Sequence, residues 1–592
     1  MFVGPCSTKM KEAQKPMQSQ NTSSSQYEVH VERQVSIPMT DGTILRADVY
    51  RPSNPGCYPV LIERVAYELA ERCRYAGEYY ASRGYVVVGQ NVRGRFASEG
   101  DFIPFRDDGW SEHRDGYDTI LWAGKQPWSN GVVGMLDGSY SGGTQYLLTP
   151  TQPDFLKALF VREGMSDIYH DFVFRGGAYQ LALHRGWAIN ATLAHLRQNV
   201  LPKTASALAL LEQAAKNVDD WHRHLPLTAC PPLEGLADWY FADLAHSEDG
   251  PYWWPTSLSQ RFHEVNVPIL HLGGWFDVFL GSTLRCFQGI RAKGKTEECR
   301  SNQRLIIGPW IHGPNQIGEP VVGELNFGPQ AAFDLFDYRL HWYDYWLKQV
   351  PNGIMDGPAV RVFLMGINRW VEAESWPLPD TTYQPMYLQA GSGQTAASLN
   401  NGLLAFEQPA SDEQAESFLY DPMAPIESLL TYPFLGPKDH RSIEGQMLTY
   451  TSHPLEQDLT VIGPVKAVLY GTSSAPDTDW VVRLCDVWPD GRSMSVCDGI
   501  LRARYRDSLT EPTLMHPGQI YRFEIDLQAT AQVFQAGHRL RVEVTSSDFP
   551  RYDRNLNTGE AFDTGDRGQV ANNTVFSGGS RASHILLPIC SL

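Results

Sequence analysis

At 592 residues, with 42% hydrophobic and 20% charged side chains, the chain is too long for one compact domain. Its composition is too ordinary for a fibrous or collagenous class. A net charge of −18 repels nucleic acid and anionic membrane surfaces, and no basic run interleaved with aromatics offsets it. Nine scattered cysteines without a CxxC pair argue against a disulfide framework or a structural zinc site and fit a reducing compartment.

Residues 1–26 are polar and lack the apolar run of a secretory signal, so they read as a disordered tail. No window approaches the ~20 apolar residues of a membrane span. The expectation is a soluble, cytoplasmic protein with no membrane partner. From about Tyr27, strand and helix signals alternate. VERQVSIPM, TILRADVYRP and YPVLIERVAY read as strands, with Asp41-Gly42 as a hairpin turn; ELAERCRYAGEYYASRG reads as a helix ending at Gly84. YVVVGQNV, the helix RDGYDTILWAGKQ and the strand VVGMLDGS follow. Short Val/Ile/Leu strands alternating with helices predict a parallel sheet covered on both faces, an α/β domain whose first part spans 27–166. From 167 to 260 the strand signal fades and ALALLEQAAKNVDDW carries apolar residues at helical spacing, predicting a helical insertion. VPILHLGGWFD and QRLIIGPWIHG restore the α/β pattern over 261–353. After 354, AVRVFLM, VKAVLYG, DWVVRLCDVW, YRFEIDL and HRLRVEVTSS are short strands between turn residues, predicting a β-sandwich, a jelly roll, over 354–592.

A serine becomes nucleophilic when a base takes its proton and donors stabilise the oxyanion. VVGMLDGSYSGGTQYLL has the form of a nucleophile elbow: an apolar strand, Ser139 at the turn, Gly142-Gly143, then a helix start. The Tyr140 N–H would be one oxyanion donor. Asp137 stands where the GxSxG pattern has glycine, and Ser141 is a competing serine with poorer elbow spacing. The acid and base should follow on later strand ends in the order Ser, Asp, His. Asp277 closes VPILHLGGWFD and His312 closes QRLIIGPWIHG.

In order, RPSNPGCYPVLIERVAY, NVRGRFASEGDF, WSNGVVGMLDGSYSGGTQ, GGWFDVF, RLIIGPWIHG and DFPRYDRNLNTGE make the chain resemble the cocaine esterase and X-Pro dipeptidyl-peptidase group of α/β-hydrolases, from about Tyr27 to the C-terminus. The resemblance implies an α/β-hydrolase sheet with a helical cap and a C-terminal jelly roll. It places the nucleophile at Ser139, the acid at Asp277, the histidine at His312 and a second oxyanion donor at the hydroxyl of Tyr67. Three positions depart from the family pattern: Asp137 for glycine at the elbow, Asn91 for an aspartate, and Ala66 for the proline before the oxyanion tyrosine.

The expected activity is hydrolysis of a small-molecule ester or amide through an acyl-enzyme, with no metal and no cofactor. Trp275, Phe276 and Phe279 flank the acid and are candidates to line the pocket. Asp137, together with Asp167 and Asp171, would make a negative patch for a cationic substrate. Acyl transfer, X-Pro dipeptidyl-peptidase activity and a silenced binding scaffold are the alternatives, and a homo-oligomer is compatible with the sequence.

Overall fold

The computed structural model describes residues 11–12, 22–198, 204–409, 414–430, 436–562 and 564–591. Parallel strands form the centre of the first sheet. In spatial order they are Val86–Asn91, Tyr58–Val65, Ser129–Met135, Leu156–Gly164, Ile269–Phe276, Arg304–Ile311 and Val360–Leu364. Ile44–Pro52 and Val29–Pro38 extend one edge antiparallel. The strands Tyr58–Val65 and Val86–Asn91 are buried along almost their whole length. That is the burial expected of a sheet covered on both faces, and it explains their continuous apolar sequences.

Two expectations are corrected here. AVRVFLM, assigned above to the jelly roll, instead pairs parallel with the strand Arg304–Ile311. Arg369–Ala373 then returns antiparallel beside it, so the hydrolase sheet continues past residue 353. An isolated apolar strand has the same composition in either kind of sheet, and only its partner distinguishes them. The second correction concerns the expected N-terminal tail. Lys11–Glu12 pair with Val371 and Glu372, and the Ser23 N–H and hydroxyl both bond to the Asp344 carboxylate. The remaining residues of that tail up to 21 lie outside the described residues.

Between Gly164 and Ile269 the chain is mainly helical, with Leu181–Gln198, Ala205–Lys216, Val218–Arg223 and Asp238–Leu244. These helices enclose an aromatic core shared with the sheet, including Tyr140, Phe172, Trp239 and Phe279. From Thr382 onward the second sheet folds as a β-sandwich, with pairs such as Leu459–Ser473 against Tyr521–Phe534 and Asp479–Val487 against Arg539–Thr545. It docks on the hydrolase sheet by exchanging backbone bonds between Met365 and both Ala531 and Val533, at 2.9 Å each.

The DFPRYDRNLNTGE segment pins the cap. Pro550 accepts the Ala182 N–H at the start of the first cap helix, and Asp553 accepts the Tyr179 N–H at 2.8 Å. Among the described residues every cysteine is free, and no helix is long and apolar enough to cross a membrane.

Candidate active site

Five neighbouring parallel strands end at one place. Tyr67 follows Tyr58–Val65, Ser139 follows Ser129–Met135, Glu163 ends Leu156–Gly164, Asp277 follows Ile269–Phe276, and His312 follows Arg304–Ile311. Carboxyl ends of parallel strands are where open α/β sheets build their sites, because the loops leaving them converge beside helix N-termini.

Ser139 has φ 58° and ψ −122° and immediately precedes the helix Tyr140–Leu148. The tightness of this turn accounts for its glycines. A Cβ at Gly138 would lie 2.1 Å from the Arg162 carbonyl oxygen, and one at Gly142 would lie 2.7 Å from the Gly164 Cα. His312 Nε2 stands 2.9 Å from Ser139 Oγ, and His312 Nδ1 stands 2.8 Å from Asp277 Oδ1. The same Asp277 oxygen accepts the Phe279 N–H at 3.1 Å, which fixes the carboxylate. Burial pulls the His312 pKa down, but the Glu163 and Asp277 carboxylates outweigh it, so the net shift is upward.

Tyr67 accepts a hydrogen bond from the Trp187 indole of the cap at 3.1 Å, which leaves its own O–H to donate. Burial raises its pKa and keeps the phenol protonated. The Asn91 side-chain amide donates to the Tyr67 carbonyl at 2.7 Å, so the departure at this position supplies a donor that an ionised aspartate lacks. Arg95 bonds the Ala66 carbonyl at 3.0 Å. The Tyr140 ring stacks between Phe105 and Trp187, holding the first residue after Ser139.

One pocket expectation is not met. Asp137 turns into a buried ion cluster, 2.8 Å from Arg72, 3.0 Å from Arg162 and 3.5 Å from Arg339. Its φ of 77° explains why glycine suits this position, and aspartate is among the side chains that tolerate it. Burial alone would raise its pKa, but the three guanidinium groups hold the carboxyl well below the usual range. Trp275 is mostly buried, its indole N–H bonded to the Phe363 carbonyl at 2.7 Å, and with Phe276 and Asp277 it lines a small cavity against the sandwich. Both placements depend on partners far away in sequence. Phe279 does stand edge-on to the His312 ring at 5.0 Å, and Phe276 is half-buried against Phe327.

Removing Asp137 leaves three buried guanidinium groups short of a partner. Asp137→Ala is therefore expected to destabilise the protein by about 3–5 kcal/mol, read as a lower thermal midpoint than wild type. Because the folded carboxyl is held below its unfolded value, its stabilisation is present above about pH 4 and fades as pH falls further.

Asp167 and Asp171 line a separate cavity of about 620 Å³ whose lining does not include Ser139. Asp171 is bound to Arg285 at 2.6 Å and to the backbone of Ser166 and Asp167, and Asp167 accepts the Ser257 hydroxyl. In the sandwich, His440, Cys485 and Glu543 bring three ligand-type atoms within 4.8 Å of one another. Arg483, bonded to Glu543 at 2.6 Å, already supplies a fixed positive charge there. Glu163, which the sequence reading missed, lies 3.6 Å from His312 Nδ1.

Comparison with known proteins agrees with this architecture. Residues 41–314 match the X-Pro dipeptidyl-peptidase (S15 family) model, and residues 352–586 match the X-Pro dipeptidyl-peptidase C-terminal non-catalytic domain. The chain is 36% identical over 576 residues to cocaine esterase of Rhodococcus sp. (strain MB1 Bresler), covering 94% of this chain and 98% of that protein. The chain belongs to the cocaine esterase and X-Pro dipeptidyl-peptidase family. It is a serine hydrolase. A putative serine esterase of Mycobacterium bovis is 27% identical over 79% of each chain. Among solved structures, an α-amino-acid ester hydrolase superposes with a TM-score of 0.78 at 25% identity, covering 97% of this chain and 98% of that one. An aminopeptidase from a marine-sediment Thaumarchaeota archaeon shares the fold, with a TM-score of 0.79 at 24% identity and coverage of 98% and 99%.

Proposed function

We propose that this family member hydrolyses carboxylic esters through an acyl-enzyme on Ser139. The observation that carries the reading is the unbroken hydrogen-bond chain Ser139 Oγ, His312, Asp277. His312 Nε2 takes the Ser139 proton as Oγ attacks the carbonyl carbon. Asp277 holds Nδ1–H, fixing the tautomer and balancing the imidazolium. The Tyr67 O–H and the Tyr140 N–H donate to the developing oxyanion. His312 then returns the proton to the leaving alkoxide, and the same base activates the water that releases the acid.

An ester substrate is favoured because a curated relative of nearly full coverage is named an esterase and a full-length structural neighbour an ester hydrolase. A dipeptidyl-peptidase reading needs a group for the substrate's free ammonium. The two carboxylates considered for that purpose, Asp167 and Asp171, are engaged with Ser257 and Arg285. A silenced scaffold finds no support at the elbow, since Asp137 faces the arginine cluster and leaves the Ser139–His312 contact intact.

The test is a p-nitrophenyl ester series from acetate to octanoate with an aminoacyl ester added. Turnover of at least one simple ester is expected, and its profile sizes the acyl pocket. Cleavage of the aminoacyl ester alone would narrow the reading to α-amino-acid esters, and failure on every ester would overturn it. Tyr67→Phe keeps the ring and removes the donor. It is expected to lower kcat by about 10²–10³ with little change in KM, measured on the best ester of that series.

A further inference from the structure

The mechanism above uses one carboxylate, yet two face the same imidazole nitrogen. The strands Leu156–Gly164 and Ile269–Phe276 are parallel neighbours, and an acid at the carboxyl end of each reaches His312. Asp277 Oδ1 is 2.8 Å from Nδ1. Glu163 Oε2 is 3.6 Å from it and accepts the N–H of Gly313 at 3.0 Å. Glu163 is completely buried, with φ 50°, a conformation that costs energy in a non-glycine residue and persists only when its surroundings enforce it. Arg162 enforces it by bonding Glu163 on one side and Asp137 on the other.

The charge balance of the surroundings gives this placement a purpose. The buried acids are Glu63, Asp137, Glu163 and Asp277, and the fixed cations packed among them are Arg72, Arg162 and Arg339. With His312 neutral and all four acids ionised the cluster holds one acid too many, and burial pushes both Glu63 and Glu163 up to about 7, so the full excess charge is present only above that pH. When His312 takes the Ser139 proton it becomes the fourth cation and the cluster is balanced. A buried excess charge is costly in a low-dielectric site, so the surroundings favour the protonated imidazole.

We infer that Glu163 is a positioning residue for His312, a second carboxylate that steadies the imidazolium alongside Asp277 and ties down the Gly313 turn. This rests on the Ser139–His312–Asp277 reading. The experiment measures kcat/KM for a p-nitrophenyl ester against pH in wild type, Ser139→Ala and Glu163→Gln. Glutamine keeps an oxygen for the Gly313 N–H and removes the charge. Loss of a nearby negative charge lowers the histidine's pKa, so the acid limb is expected to move down by about one pH unit. The kcat at neutral pH is expected to fall roughly tenfold, with KM unchanged. In an Asp277→Asn background the same change is expected to cost a further tenfold or more, because no carboxylate then faces Nδ1.

Should glutamine beside Arg162 prevent folding, Glu163→Asp keeps the charge but withdraws it, and a smaller downward movement of the acid limb is expected. Hydrolysis that survives Ser139→Ala would remove the underlying reading. Ser139-dependent hydrolysis whose acid limb is the same in wild type and the Glu163 variant that folds would overturn this inference alone.

Discussion

Ser139→Ala is expected to lower kcat by roughly 10⁵–10⁶ while leaving the thermal midpoint within a few degrees of wild type. The size follows from the role. A nucleophile and its base act as one unit, so removing either forfeits nearly all of the covalent route. What remains comes from oxyanion donors and substrate binding, which the variant retains. The fold should be indifferent, because Ser139 Oγ is satisfied by His312 alone and alanine places no new atom in the tight turn at Gly138 and Gly142. Ser141 supplies the internal comparison. It is buried two residues along and its hydroxyl bonds to Glu63 at 3.2 Å, away from the imidazole. Ser141→Ala should therefore change kcat by no more than about tenfold. The measurement is steady-state hydrolysis of the best p-nitrophenyl ester, with the two variants side by side.

Asp277→Asn is expected to lower kcat by about 10³–10⁴. An asparagine amide can present its N–H₂ to His312 Nδ1, which favours the tautomer carrying the proton on Nε2, and that tautomer cannot accept the proton of Ser139. The loss should be greatest at neutral pH. In wild type, the Glu163 and Asp277 carboxylates lift the His312 pKa above its ordinary value near 6.5. Activity should therefore fall as pH drops through that raised value, since protonated His312 is no base. Removing the Asp277 charge lowers the histidine's pKa and carries the acid limb to lower pH. A pH–rate profile of the variant checks the size and the direction together.

Much of this was legible in the sequence because the site is assembled from strand ends. Ser139, Asp277 and His312 each follow a short apolar run and sit in a glycine- or tryptophan-marked turn, and parallel strands bring such turns together. The boundary near residue 354 was not legible, because VRVFL reads alike whether its neighbour is the parallel strand Arg304–Ile311 or a sandwich strand. Asp137 was misread for a different reason. Its place two residues before Ser139 suggests a carboxylate facing the substrate, and only the fold reveals that Arg72, Arg162 and Arg339, from three separate segments, converge on it. Glu163 escaped notice because its role depends on a left-handed residue at a strand end, and VREG carries no pattern announcing one. Long-range ion clusters leave no local mark in the sequence, whereas an apolar run ending in a glycine- or tryptophan-marked turn does.

The departures at Asp137 and Asn91 then belong to one design. At the elbow, glycine's conformational freedom gives way to an aspartate held by arginines, and the Arg162 that holds it also holds Glu163 against His312. Beyond the strand Tyr58–Val65, the Asn91 amide fixes the Tyr67 backbone. Both changes act by orienting groups, and neither alters a reacting atom.

The central claim is that Ser139 is the nucleophile. It is tested most directly by inactivating the protein with a fluorophosphonate and mapping the adduct by peptide mass spectrometry. The account predicts a single modified residue, Ser139, with labelling strongly slowed in His312→Ala. An adduct on Ser141, or labelling at the same rate without His312, would contradict it.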